Sequence, residues 1–216
     1  MTDIAAGAIA PEFEVYDVAS VPDAAAPTLS FAIGVNETSG REVFTIALTA
    51  QINVDPARRS YDPRTREALV ELFGEPERWA ATTHSFLFAH ATTLGPSFTG
   101  HTTFTLPVPC TYDLELAAAK YFYNLPDGEA PLSFHFTGSV LYRGDAGGVQ
   151  VVLIPWTCSA QYRMPVDAWK AMMDHHYPNG SWVRLQADTV ATLARRTAAH
   201  GMPSYDACVS ALLRDH

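Results

Sequence analysis

Charge is scarce in this sequence, and basic charge scarcer still. Of 216 residues only 17% are Asp, Glu, Lys or Arg, and 14 Lys plus Arg stand against 23 Asp plus Glu, a formal net charge of −9. Globular domains ordinarily carry about a quarter charged residues. A field of this sign repels phosphate backbones and anionic headgroups, which argues against nucleic acid and membrane surfaces as partners. The basic pairs Arg58-Arg59 and Arg195-Arg196 are isolated and form no stripe. Cysteine is also rare: Cys110, Cys158 and Cys208 lie far apart with no C-x-x-C spacing. That pattern excludes a disulfide framework and a thiolate zinc knuckle, and it fits a reducing, cytoplasmic compartment. No apolar run approaches the roughly 20 residues that a bilayer requires, and the first residues lack the basic and apolar regions of an export signal. G-x-S-x-G, P-loop and dinucleotide fingerprints are missing as well, so no cofactor is expected.

Apolar residues, by contrast, make up 48% of the chain, and their spacing changes along it. After an Ala/Gly-rich flexible tail over 1–10, Phe13–Ala19 is β-compatible and Pro22–Pro27 reads as a linker. Leu29, Phe31, Ile33 and Val35 alternate with smaller residues, and Phe44, Ile46, Leu48, Ala50, Ile52 and Val54 do the same, which predicts a hairpin with one buried face. Asp62-Pro63 then supplies an N-cap and a first-turn proline for a helix carrying Leu69, Leu72 and Phe73 and stopped by Gly74, and a short helical turn carries Trp79. The Thr-, Phe- and His-rich segment Thr82–Thr93 predicts a strand with His84, Phe86, Phe88 and His90 on one face.

Phe98–Val108 is a strand whose two prolines forbid a central position. Thr111–Leu125 reads as a helix with Thr111 as cap, Asp113 and Glu115 in its first turn, and a stripe of Leu114, Ala118, Tyr121, Phe122 and Leu125. A second hairpin joins Phe134–Tyr142 to Val149–Pro155 through the glycine-rich 143–148 turn. Helices follow from Pro165: one bearing Val166, Trp169, Met172, Met173 and His176 and ending near Pro178-Asn179-Gly180, one over Asp188–His200, and one capped by Ser204. The whole predicts an α+β fold, an antiparallel sheet or sandwich over about 12–155 with C-terminal helices over 165–214, forming a single domain from residue 11 onward.

Candidate chemistry is thin. His84 and His90, six residues apart on a strand, would stand roughly 20 Å apart, too far to share an ion, so His101 or His135 would have to join one of them from a neighbouring strand. Structural roles explain the histidines better, and no metal is expected; His175-His176 fit the carbonyls at a helix end. Cys110 is the thiol of interest, because a position ahead of a helix favours the thiolate; a small buried hydrophobe is the plainer role. Asp113 and Glu115, at i and i+2, cannot face each other. Trp156, Trp169, Trp182, Tyr121 and Tyr123 lie near segment ends, where aromatic side chains suit a wet interface, although core packing explains them too. Low charge with many aromatic and Met residues points to surface buried against a protein partner or another copy of the chain.

Several phrases, Leu72-Phe-Gly-Glu-Pro-Glu-Arg-Trp79, Phe98-Thr-Gly100, Leu106-Pro-Val-Pro-Cys-Thr-Tyr-Asp113, Ala117-Ala-Ala-Lys-Tyr-Phe122 and the Gly201–Leu213 tail, resemble an uncharacterised family of actinobacterial proteins of unknown function. The likeness brings no assigned activity. Family members encoded at times near uptake hydrogenase genes imply an accessory or assembly role. Two functional expectations follow: a homo-oligomeric, non-enzymatic accessory or scaffold protein, or an enzyme or small-ligand binder with a pocket in the β-rich half that uses Cys110 and His84, His90 or His135.

Overall fold

The computed structural model describes residues 9–110, 116–178 and 185–214. The chain divides into two compact units, one ending at Pro178 and one beginning at Asn179. In the first unit, β1 (Glu12–Ser20), β2 (Thr28–Asn36) and β6 (His101–Pro109) form an antiparallel sheet in the order β1-β2-β6. A second antiparallel sheet contains β3 (Glu42–Val54), β4 (Phe86–Gly95), β7 (Glu129–Arg143) and β8 (Val149–Leu153) in the order β4-β3-β7-β8. The short β5 (Phe98–Thr99) pairs with β3, and β9 (Ser159–Pro165) pairs with the N-terminal half of β7. This is the α+β architecture expected, with its helices concentrated toward the C-terminus.

Burial of the inward faces holds the sandwich together. Leu29, Phe31, Ile33 and Val35 of β2 are fully buried, as are Val43, Ile46, Ala50, Ile52 and Val54 of β3 and Leu132, Phe134, Phe136 and Val140 of β7. The rings interlock across the gap: Phe13 meets Phe136 at 4.8 Å, and Phe31 meets Phe134 at 5.2 Å edge-to-face. Each such ring contributes about 1.5–3 kcal/mol through burial.

Three local expectations are corrected here. β2 and β3 do not pair as a hairpin; β2 lies between β1 and β6, while β3 lies between β4 and β7. With one face of each strand wholly apolar, each buries that face between the sheets, where Phe31 of β2 meets Phe134 of β7, and residues 37–41 carry the chain from one sheet to the other. The phase of β3 slips at Val43/Thr45, so Val43 takes the core position and Phe44 is only half-buried beneath the Arg143 guanidinium. In β4 an extra residue between Leu87 and Ala89 does the same. Phe88 therefore faces the core while His90 faces out, and His84 lies exposed in the loop before the strand, not on it. Alternation sets the face of a strand only until a bulge inserts a residue. β9 was not expected at all, although its exposed Ser159, Gln161 and Arg163 do alternate with less exposed Ala160, Tyr162 and Met164.

Helical segments cover one end of this core. α1 (Pro63–Ala68) begins at Asp62, whose carboxylate accepts from Thr65 N at 3.0 Å, and these bonds hold the Asp62 carboxyl below its usual range. The turns α2 (Val70–Phe73) and α3 (Trp79–Thr82) follow, with Gly74 at φ 77° between them, where a side chain would be strained. α4 (Leu116–Asn124) buries Ala118, Tyr121 and Phe122; the expected cap Thr111, together with Asp113, Leu114 and Glu115, lies outside the described residues. α5 (Val166–His176) buries Val166, Trp169 and Met172 and ends two residues before Pro178, whereas Asn179, Gly180 and Trp182 lie outside the described residues. The second unit contains α6 (Ala187–Ala199), stopped by Gly201 at φ 59°, and α7 (Tyr205–Arg214), capped by Ser204, whose Oγ accepts from Ala207 N at 3.1 Å; Cys208 is buried.

Candidate functional site

Cys110 sits at the end of β6, only 5% exposed, with its thiol 3.5 Å from Val108 O. Desolvation by burial pushes this thiol up to about 12, despite a backbone N–H bond from Leu29 that acts in the other direction. At neutral pH it is therefore a protonated, shielded side chain, the opposite of the electropositive setting that makes a cysteine reactive. Cys158 is half-buried, and burial raises its thiol as well.

The histidines gather elsewhere. His90 on β4 and His135 on β7 both stand opposite Gln51 of the intervening β3, so His90, Gln51 and His135 form one row on the outer face of the second sheet. Gln51 Oε1 lies 3.4 Å from His90 Nε2. Two strand spacings separate the imidazoles' backbones, about 10 Å. Among the described residues no three His, Cys, Asp or Glu side chains come together as metal ligands. His84 and His101 are exposed and Cys110 is buried, so the expected constellation of Cys110 with a histidine is not assembled. His175 and His176 close the C-terminal end of α5 onto the 21–27 loop: His175 Nε2 is 3.1 Å from Pro22 O, while His176 Nδ1 and Nε2 lie 3.0 Å from Met172 O and 3.3 Å from Ala24 O.

The expected binding aromatics divide by burial. Tyr121 and Trp169 belong to the core, in a cluster with Tyr61, Phe73, Trp79, Phe86, Phe88 and Phe122. Within it the Tyr121 and Tyr61 hydroxyls are 2.8 Å apart, and Tyr61 OH donates onward to Pro56 O at 2.8 Å. Burial is the main cause that raises both phenols above their ordinary value of 10.0. Tyr123 and Trp156 are the two that a partner could reach, Trp156 being 84% exposed.

Trp156 follows β8 in the turn that leaves its sheet, and large apolar side chains are exposed nearby in the chain. On the outer face of the second sheet, Leu94, Val149, Val151 and Leu153 are exposed at 72, 63, 61 and 75%. Between Leu94 and Ser139 runs a depression lined by Ala47, Leu48, Thr49, Thr92, Thr93 and Gly138, with no titratable side chain. Gly138 is required there, because at φ 135° an added Cβ would lie 2.0 Å from Ala47 O. Large apolar side chains left in water on one face mark an interaction surface more often than chance exposure. The exposure of 149–153 escapes a sequence reading because a nearly continuous apolar run looks like a buried strand. The available signal was the lack of any charged residue between Asp145 and Arg163.

Taken together, the first unit defines an antiparallel β-sandwich in which, among the described residues, no three metal-ligating side chains come together, and whose second sheet exposes Leu94 on β4 and Val149, Val151 and Leu153 on β8. The chain belongs to a family of unknown function, DUF6084, whose model matches residues 8–216. No curated protein matches it. Among solved structures it is similar to a putative late embryogenesis abundant (LEA) protein, with 15% identity and a TM-score of 0.32 over 72% of this chain and 70% of that one. It is also similar to the putative ApaA protein from Bordetella pertussis, with 11% identity and a TM-score of 0.25 over 72% and 93% of the two chains. A beta-glucosidase from Kluyveromyces marxianus shows 10% identity and a TM-score of 0.27 over 73% of this chain and 15% of that enzyme. At these scores the likenesses are faint. No helix among the described residues is long and apolar enough to cross a membrane.

Proposed function

We propose that the protein is a non-enzymatic, homo-oligomeric accessory or scaffold protein of the cytoplasm, a single domain from residue 11 onward, that binds a partner protein through apolar surface. The uncovered strip of Leu94, Val149, Val151, Leu153 and Trp156 carries this reading. Exposed aromatic and aliphatic side chains at the centre of a patch are where binding free energy concentrates. The genomic association that accompanies the family resemblance makes a protein of hydrogenase assembly the first partner to try. The rival reading, a pocket using Cys110 with a histidine, has less support, since Cys110 is buried and raised to about 12 while His84, His90 and His135 are exposed elsewhere.

The test is recovery of partners on tagged full-length chain from its native cells, comparing the natural sequence with Trp156→Ala. A protein retained by the former and lost by the latter supports the reading. A catalytic turnover abolished by Cys110→Ser would contradict it.

A further inference from the structure

We infer that β8 is the contact by which two copies of this chain join, pairing antiparallel about a two-fold axis at Val151 so that the second sheet continues from one copy into the next. The inference deepens the homo-oligomer reading above and rests on it.

Among the described residues, β8 is the last strand of its sheet and pairs only with β7. Ile154 N donates to Gly138 O at 3.0 Å, and Gly148 O accepts from Gly144 N at 2.8 Å, so even-numbered residues of this strand point their backbone groups toward β7. By alternation, the N–H and C=O of Val149, Val151 and Leu153 point to the open edge. A two-fold axis at Val151 sets Val151 opposite Val151 and Val149 opposite Leu153. Every outward group is then matched: three donors and three acceptors from each copy make about six hydrogen bonds, the pattern of narrow antiparallel pairs.

The same register sorts the side chains. Val149, Val151 and Leu153 share the outer face, so the pairing places aliphatic against aliphatic across the junction. On the inner face Gln150, held by Tyr142 OH at 2.9 Å, meets Val152. Trp156 is carried toward the second copy's hairpin turn, where Gly147 and Gly148 leave open space.

Charge selects a second copy of this chain as the occupant. Two molecules of net charge −9 repel, and they can approach most easily where neither carries charge. The stretch from Ala146 to Tyr162 is that place, with no Asp, Glu, Lys or Arg. Pairing covers the outward backbone of Val149–Leu153 and the facing flanks of Val149, Val151 and Leu153, while their outer sides stay in water, so the junction buries less than the roughly 600 Å² per copy at the lower end of stable interfaces. The dimer should accordingly be weak, dissociating in the micromolar range.

The experiment combines sedimentation velocity over a micromolar concentration series with engineered cross-linking of the full-length chain. In the pairing, the Val151 Cα atoms lie about 5.5 Å apart, within disulfide range. In a Cys158→Ser background, Val151→Cys should therefore form a covalent dimer under mild oxidation, while Thr137→Cys, exposed on the same face but away from the edge, should not. Val151→Lys and Val151→Pro should each weaken dimerisation at least tenfold; proline removes only an outward N–H, and circular dichroism should show the fold intact. A dimer that survives both substitutions and does not cross-link at 151 overturns the pairing while leaving homo-oligomerisation standing. A monomer at every concentration overturns both. A monomer that still captures a partner through Trp156 overturns the pairing and leaves the accessory role in place.

Discussion

β6 and β8 are both terminal strands of their sheets, yet they are built on opposite plans. β6 ends in Leu106-Pro-Val-Pro109, where prolines delete N–H donors, and its free side lies against β4, with Thr93 Oγ1 donating to Thr105 O at 3.1 Å and the Phe104 ring against Gly95. β1, the other end of that sheet, carries exposed Glu12, Glu14 and Asp17, kinks between Val15 and Asp17, and runs beside β9. Proline, charge, a bulge and a covering strand are the devices that keep sheet edges from pairing with other chains. β8 has none of them within Val149–Leu153. Among the described strands, β8 is thus the apolar, uncharged edge on which the proposed pairing rests.

Several perturbations would sharpen or break this contrast. The largest effect belongs to the interior: Phe134→Ala, emptying a fully buried ring site between the sheets, should lower unfolding free energy by about 3–5 kcal/mol in a denaturant titration. Next comes Tyr61→Phe, which leaves the buried Tyr121 hydroxyl without its acceptor and should destabilise by about 1–3 kcal/mol. Tyr121→Phe should do less harm, because Tyr61 keeps Pro56 O.

Alkaline pH should act in the same region. Cys110 is raised by burial from 9.0 to about 12, so its contribution is whole below pH 9 and is lost as pH rises toward 12. Tyr61 and Tyr121, raised from 10.0, add to the loss above pH 10. Unfolding midpoints followed from pH 8 upward should fall from pH 9, and Cys110→Ala should flatten the first part of that decline. The smallest effect should come from the edge: Val151→Thr should change stability by no more than about 0.5 kcal/mol. A large loss there would mean that β8 is an ordinary structural strand.

Much of this architecture could be read from residue order. The β2 and β3 alternations, the Asp62-Pro63 helix start, the proline-limited β6 and the hairpin joining β7 to β8 all follow from local chemistry that the fold obeys. What escaped was set by partners distant in the chain. Nothing within β2 or β3 says that they belong to different sheets instead of pairing, and single inserted residues near Phe44 and Phe88 invert the faces that strict alternation assigns. The candidate site was the least readable part. Trp156 stands out in the sequence, but Val149, Val151 and Leu153 carry the same apolar signature whether a strand is buried or at an open edge; only the tertiary structure shows that, among the described residues, β8 pairs with β7 alone. The position of Cys110 ahead of a helix suggests a thiolate, whereas its chemistry is governed by burial.

The most direct measurement is amide hydrogen exchange, resolved residue by residue along β8, at low and high micromolar protein concentration. If two copies join at this edge, Gln150, Val152 and Ile154 exchange slowly at both concentrations, and Val149, Val151 and Leu153 slow markedly only at the higher one. If those three amides exchange freely at every concentration while the alternate ones stay protected, the edge is open in solution and the account is wrong.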